Sequence, residues 1–394
     1  MTGEGRMTGR PGDHLRQTRP AWERLEDKIL VHTKVSVRGG MGTALAADAH
    51  DGVVLCGAAA LPTAGILHRR TQGGRLQLVD PDTYGSNATT EQPYQLGRDR
   101  GPGQDPLFGQ DSLFGEDELS LLRTTVNAQL HRGTVAGLTP TRYIEGGDRE
   151  AVSAVVEGAR NLDPDRNILT LPLDYKWLRA PDDLDHLITA LTGLPHVKAV
   201  ALGAAMNPLT TRGAVAALRH LIKSVDRIAL VRTDLAGLDA YAHGALFVSI
   251  GMQTSMRHVS PPGSVPPRLP EGRNVTTVVL HPQLMDYFKA DRLREHYGRL
   301  PSPLCHCPVC HGRSLLRFEH CASDREEANR HNIATWWPWA DELQRTAPGA
   351  ARRNAWQQLC RDALVAAQDL REELADPGAL EAPRWLTAWA GESA

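Results

Sequence analysis

Three cysteines fall within six positions in "LCHCPVCHG" (304–312): Cys305, Cys307 and Cys310, half of the six in the chain. A C-x-C-x-x-C run brings three thiolates close enough to share one metal ion, and a structural zinc then needs a fourth ligand in tetrahedral geometry. Two candidates follow nearby, Cys321 and His331, whereas His311 sits next to Cys310 and is badly placed to join it. With four protein ligands such a site is closed and structural rather than catalytic. The opening residues carry charge, Gly and Pro without an apolar core, which is not the pattern of a signal peptide. The expected location is therefore the cytoplasm, where clustered cysteines bind metal more often than they form disulfides. The expected cofactor is one structural Zn2+ per chain.

A second set of residues could do chemistry from strand ends. Asp80, Asp174, Gly203 and Ser249 each fall at or near the end of a β-branched or apolar run. Carboxylates there can accept hydrogen bonds from the N–H groups of a ligand, and burying those donors against paired acceptors gives specificity. The bland readings are a turn residue for Asp80 in "DPDTYG" and a helix cap for Asp174 before "YKWL".

The elements that must position these residues alternate in type. Runs at 53–56, 76–80, 167–174, 197–202, 227–231, 245–250 and 275–280 read as buried strands, and "GTVAGLTP" (133–140) as a weakly marked eighth. Helical patterns at 148–162, 210–225 and 233–244 lie between them. Strand and helix in alternation mean parallel pairing through crossover helices. The fold class expected is α/β, a (β/α)8 TIM barrel with a zinc-binding subdomain inserted near the last strand. A doubly wound open sheet is the alternative. Expected boundaries are a flexible tail over 1–30, the barrel over 31–300, the zinc subdomain over 301–345 and a helical segment over 346–394. The Gly- and Asp-rich stretch 95–118, with its near repeat "DPLFG" and "DSLFG", reads as a long loop at the barrel mouth.

Composition narrows the function classes. The 394 residues are 41% hydrophobic and carry a formal net charge of −2. No global basic field argues for nucleic acid, so such binding needs a local patch. The apolar stretch 52–67 is broken by glycines and Pro62 and is too short to span a membrane. The segment "YFKADRLREHYGRL" (287–300) supplies a candidate patch, with Lys289, Arg292, Arg294 and Arg299 among Tyr287, Phe288 and Tyr297. Basic groups there could neutralise phosphates and the aromatics could stack on bases; a solvated helix face is the alternative. "TWWPWADEL" (335–343) reads as a packing anchor or dimer contact.

Together these motifs resemble the tRNA-guanine transglycosylases. Cys305-x-Cys307-x-x-Cys310 followed by His331-Asn332-Ile333 is similar to that family's zinc signature, in which the histidine is the fourth ligand. The resemblance favours His331 over Cys321, although the spacing from Cys310 is shorter than usual in the family, which keeps a four-cysteine site open. "VRTDLAGLDAYAHGALFVSIGMQTS" (231–255) resembles the strand, helix and strand that carry the family's nucleophile. By the same resemblance Asp80 contacts the exchanged base, Asp174 hydrogen-bonds it, and Gly203 remains from a turn whose glutamine is missing here. It implies a pentosyltransferase acting on tRNA or DNA, a 7-deazaguanine-type base, and a homodimer contact through the zinc region.

One departure matters more than the matches. The family's nucleophilic aspartate is replaced by Ser249, and the Pro-Thr-Arg that follows it by Gln253-Thr254-Ser255. An unactivated hydroxyl is a poor nucleophile toward an oxocarbenium-like carbon and offers it no negative charge. His258, nine residues on, is the base considered for it. Two readings follow: a base-handling enzyme, or a non-catalytic partner subunit or nucleic-acid-binding module on the same fold.

Overall fold

In a computed structural model, the structure describes residues 19–35, 51–97, 118–264, 276–298, 300–374 and 380–391. Eight strands form one all-parallel sheet: β1 (Lys28–Lys34), β2 (Gly52–Cys56), β3 (Leu76–Asp80), β4 (Gly137–Leu138), β5 (Asn167–Asp174), β6 (Val197–Gly203), β7 (Ile228–Thr233) and β8 (Phe247–Gly251). Their order is β3-β2-β1-β8-β7-β6-β5-β4. The ends of that row approach each other, and Val135 N–H donates to Gln77 O across the seam at 2.9 Å. The sheet is thus a nearly closed barrel. β4 is only two residues long because a side chain stands in for a strand partner. Gln129 accepts from Leu138 N–H at 2.9 Å and donates to Leu138 O at 2.8 Å.

Strand alternation divides the core in two. Leu30, Val54, Leu78, Leu138, Ile168, Ala199, Ala229 and Phe247 share an interior cluster. Their alternates, such as Ile29, Leu169, Val200 and Val248, pack outward with the crossover helices. These include α2 (Ala60–Arg70), α3 (Glu118–Leu130), α4 (Arg149–Arg160), α5 (Pro181–Leu191), α6 (Ala214–Ser224) and α7 (Ala236–Ala242), numbered after α1 (Ala21–Leu25). Ala21 and Leu25 of α1 join the interior cluster and close the N-terminal end of the barrel.

Two boundaries differ from the sequence reading. β1 begins at Lys28 and α1 at Ala21, both inside the stretch expected as a tail; residues 1–18 lie outside the described residues. The run at 275–280 is not a barrel strand. The strand there, β9 (Val278–His281), pairs antiparallel with β10 (Asp286–Lys289) in a separate two-stranded sheet. Both runs are apolar enough to be strands, and apolarity alone does not say which sheet a strand joins. The subdomain that carries the cysteine cluster therefore takes in β9 and β10 and starts near residue 276, against the expected 301. It continues through α8 (Ala290–Tyr297), the short hairpin β11 (Leu304–Cys305) and β12 (Arg313–Ser314), and α9 (Ala322–Arg345).

The chain ends by returning to the barrel. α10 (Ala350–Leu374) donates Trp356 Nε1–H to buried Asp239 of α7 at 2.9 Å. Asp239 also takes a two-pronged contact from Arg219, at 2.6 and 3.0 Å. α11 (Arg384–Trp389) packs Trp389 at a tilt against Trp356, with ring centroids 5.6 Å apart and planes at 50°. Trp336 is buried in the outer core, which fits the packing role read from "TWWPWADEL". The near repeat at 105–115 lies outside the described residues. Among the described residues no helix is long and apolar enough to cross a membrane.

Candidate functional site

The alternation that builds the lower core also builds the mouth. Two residues above Leu30, Val54, Leu78 and Phe247 on their own strands stand His32, Cys56, Asp80 and Ser249, so the inward face changes from apolar to polar at the C-terminal ends. That is the end at which barrel proteins place their chemistry.

Asp80 is the centre of this layer. Its Oδ1 accepts from Tyr84 O–H at 2.7 Å and from Asp82 N–H at 2.9 Å. Its Oδ2 accepts from Arg232 Nη1 at 3.2 Å and lies 3.0 Å from His32 Nε2. The His32 contact is close but out of line for a straight hydrogen bond, since Nε2 has no aligned partner. His32 Nδ1 in turn lies 3.1 Å from Ser249 Oγ, which also accepts Arg232 backbone N–H at 3.2 Å. A connected chain therefore runs from Arg232 through Asp80 and His32 to Ser249. Burial alone would raise the Asp80 pKa, but the His32 contact and the Arg232 charge outweigh it and hold the carboxyl well below the usual range. Burial, then the Asp80 charge, pushes the Tyr84 phenol up, so Tyr84 stays a donor.

Arg232 reaches this position through an unusual backbone. It has φ +50°, in the left-handed region, where the β7–β8 register shifts between Leu230 and Thr233. The guanidinium spans the mouth, meeting Asp82 at 2.6 Å and Cys56 Sγ at 3.6 Å. A non-glycine residue held there costs about 1–3 kcal/mol and persists only where its surroundings over-determine it. His32, Cys56 and Asp80 have ligand atoms within 4.8 Å of one another, as a metal would require. Arg232 Nη1 already sits between Asp80 and Cys56, so a cation's place is taken.

The segment after β8 covers this layer. Met252 N–H donates to His32 O at 2.9 Å, Gln253 bonds Lys34 N–H at 3.1 Å, and Ser255 O accepts from Arg232 at 3.3 Å. Val259 then pairs with the end of β6 and enters the interior cluster. A side chain on Gly251 would bring its Cβ to 2.1 Å from Met256 O, so this return needs glycine. Ser249 is left 0% exposed, His32 1% and Asp80 2%.

Asp174 sits apart from that network and is less saturated. Its Oδ2 accepts from Tyr143 O–H and its Oδ1 from Lys176 N–H, each at 2.9 Å. A carboxylate has about four acceptor sites, so one remains on each oxygen. Asp174 is also the cap of the short helical turn that follows, so the cap role holds as well. Gly203 lies beside it in register, and a Cβ there would meet the Tyr143 ring at 2.3 Å. Gly203 is therefore what lets Tyr143 reach Asp174.

At the cysteine cluster, the hairpin turn between β11 and β12 gathers the sulfurs. His331 Nδ1 lies 3.6, 3.5 and 3.2 Å from Cys305, Cys307 and Cys310 Sγ. Bonds of about 2.3 Å to sulfur and about 2.0 Å to nitrogen give a tetrahedral N–S edge of about 3.5 Å, so the four residues fit one ion. His331 Nε2–H donates to Leu280 O at 2.9 Å, which leaves the Nδ1 lone pair facing the sulfurs. The adjacent Asn332 bonds the β9 backbone on both sides, and Arg317 donates to Cys310 Sγ at 3.3 Å. Cys321 is exposed and bonds Ser323 instead. Of the two fourth ligands left open by the spacing, the geometry selects His331.

The basic segment is less favourable to base stacking than its sequence suggested. Lys289, Arg292 and Arg294 are exposed, but Arg294 donates to Leu316 O and Phe318 O. Phe288 and Tyr297 pack into the core around the cysteines, and Tyr287 carries the Arg257 guanidinium 3.5 Å above its ring. Arg299 lies outside the described residues. Ser249 is partnered by His32, not His258. His32 went unread because its strand was assigned in part to the tail; the apolar run in "KILVHTK" (28–34) was the available signal. Arg232 had no sequence signal, since a bulge is not encoded by alternation.

Two outcomes test this description. His331→Ala should strip most of the bound metal from purified protein, measured by elemental analysis, while Cys321→Ser should leave metal content unchanged; the reverse ranking would remove His331 from the site. Asp80→Asn should cost about 3 kcal/mol in denaturant unfolding at neutral pH, because it breaks a buried pair. A depressed carboxyl contributes stability above its unfolded pKa of about 3.9 and loses it as pH falls through the folded value. The gap between parent and variant should thus be flat from pH 5 to 8 and shrink below about pH 4. A gap that widens in acid would contradict the pairing. No protein-family model matches the chain, and a search of curated proteins returned no match.

Proposed function

We propose that the protein handles a guanine or 7-deazaguanine base on tRNA or DNA in the manner of the transglycosylases, without forming their covalent intermediate through Ser249. The observation that carries the reading is Asp174, a buried carboxylate at the barrel's C-terminal end with one acceptor site open on each oxygen. Such a group suits a ring N–H beside an exocyclic amine. Asp80 is already fully engaged, so its part is to hold Arg232 and His32 rather than to grip the base. The ion at Cys305, Cys307, Cys310 and His331 is zinc in this reading, and its work is to fasten the β11–β12 hairpin to α9.

Ser249 is fully buried and bonded on two sides, which suits a structural node. A catalytic reading draws support from the same contact, because His32 lies where a base would take the hydroxyl proton. The two are separated by incubating the protein with labelled tRNA and with a stem-loop DNA, followed by denaturing electrophoresis. No denaturant-stable adduct should form, while titration calorimetry with free guanine or a 7-deazaguanine should give binding that weakens at least tenfold in Asp174→Asn. An adduct abolished by Ser249→Ala would establish the enzyme reading. Binding indifferent to Asp174→Asn would end the base assignment.

A further inference from the structure

The opposite end of the barrel carries a charge pattern that the mouth does not explain. Residues 57–79 and 119–144 contain six arginines, of which buried Arg142 lies at the mouth end instead, with two histidines and no acidic residue. At the chain's average of 46 acids in 394 residues, stretches of that combined length would hold about six. The fold brings the two stretches together. Gly133 lies against the His68 ring, where an added Cβ would come within 2.2 Å, and Gly65 lies against Arg132, at 3.2 Å. Gln77 Nε2 ties them by donating to Ala64 O, Arg132 O and Gly133 O. Both α2 and α3 run into the same Leu-His-Arg sequence, at 67–69 and 130–132, so the histidines and arginines gather on one face.

Basic residues in a helix's last turn also complement its dipole, and that would account for one or two of them. It does not account for the missing acids or for the cavity beside them. A pocket of about 800 Å³ lies there, lined by Arg19, His68, His131 and Arg166 with Asp165 as the one acid. At its wall Thr134 is 7% exposed, and its Oγ1 is buried without a hydrogen-bond partner. Arg69, Arg70, Arg132 and Arg166 are exposed and make no ion pair among the described residues.

We propose that this N-terminal face is a second nucleic-acid contact, in which Arg69, Arg70 and Arg132 neutralise backbone phosphates and the adjoining pocket receives one of them. The choice of a nucleic acid rests on the base-handling reading, but the surface is distinct from the mouth and from the Lys289–Arg294 segment. Exposed guanidiniums with no ion pair among the described residues, and with Asp165 as the one carboxylate lining the pocket beside them, are what phosphodiester backbones bind through counterion release. The binding is blind to sequence, since it reads no base edge.

The test is fluorescence anisotropy of the full chain with a labelled duplex DNA and a labelled RNA stem-loop over a salt series. Arg69→Gln/Arg70→Gln/Arg132→Gln should weaken binding at least tenfold. It should also lower the slope of log K against log salt on duplex by about 2–3, three contacts at about 0.9 each. Lys289→Gln/Arg292→Gln should change affinity less than threefold. All five residues are exposed, and thermal melting checks that each variant folds. Parent-like binding by the triple variant would overturn the proposal. So would equal, salt-sensitive binding to phosphatidylserine vesicles, which would make the face a general anion surface. Free-base binding through Asp174, measured alongside, should not respond to the triple variant, so either reading can fail alone.

Discussion

The arrangement of the barrel mouth depends on one buried charge pair, Asp80 with Arg232. A carboxylate taken out of water must have its acceptor sites filled, and Asp80 fills them with a phenol, a backbone amide, a guanidinium and an imidazole contact. The four partners come from three places: His32 from β1, Arg232 from β7, and Tyr84 and the Asp82 amide from the loop after β3. Satisfying one carboxylate thus fixes the relative position of three parts of the barrel rim. Arg232 accepts a left-handed backbone to make its contact, and the same residue's N–H holds Ser249. Ser249, His32 and the segment over them are then placed by a network whose first requirement is charge balance.

The subdomain with the cysteine cluster solves a different problem with similar economy of elements. Its two short sheets, β9–β10 and β11–β12, are too small to be stable alone. The Cys305, Cys307, Cys310 and His331 cluster joins the β11–β12 hairpin to α9, and the Leu280 carbonyl and Asn332 join α9 to β9. A metal there would close the loop between three otherwise weak pieces. Residues 331 and 332 divide that work, one side chain toward the sulfurs and the next toward the strand.

Much of this was legible in the sequence, for reasons that can be named. Buried parallel strands leave continuous apolar runs, and seven of the eight barrel strands were read from such runs or, for Gly137–Leu138, from a weak one. The cysteine spacing pointed to the metal cluster because thiolates that share an ion must be near each other. β1 is not among the expected strands because its apolar run follows within a few residues of a polar, Pro- and Gly-rich opening, separated from it only by the short α1. The run at 275–280 was placed in the wrong sheet because pairing partners are not written in a strand's own composition. Of the mouth, the inward residues at strand ends could be found by alternation. The Arg232 bulge, the Tyr143 reach over Gly203 and the return of Met252–Val259 across the opening could not, since each depends on contacts between distant segments.

In the proposed reading Asp174 offers the open acceptor sites at the mouth, while Asp80 and Ser249 are committed to the structure around them. A crystal structure of the protein grown with a 7-deazaguanine base examines this directly. The base should lie with its ring N–H and exocyclic amine within hydrogen-bond distance of Asp174, and the contacts of Asp80 with Arg232, Tyr84 and His32 should be intact. A base seated instead on Asp80, with Arg232 displaced, or a Ser249 Oγ turned from His32 toward the ligand, would contradict the account.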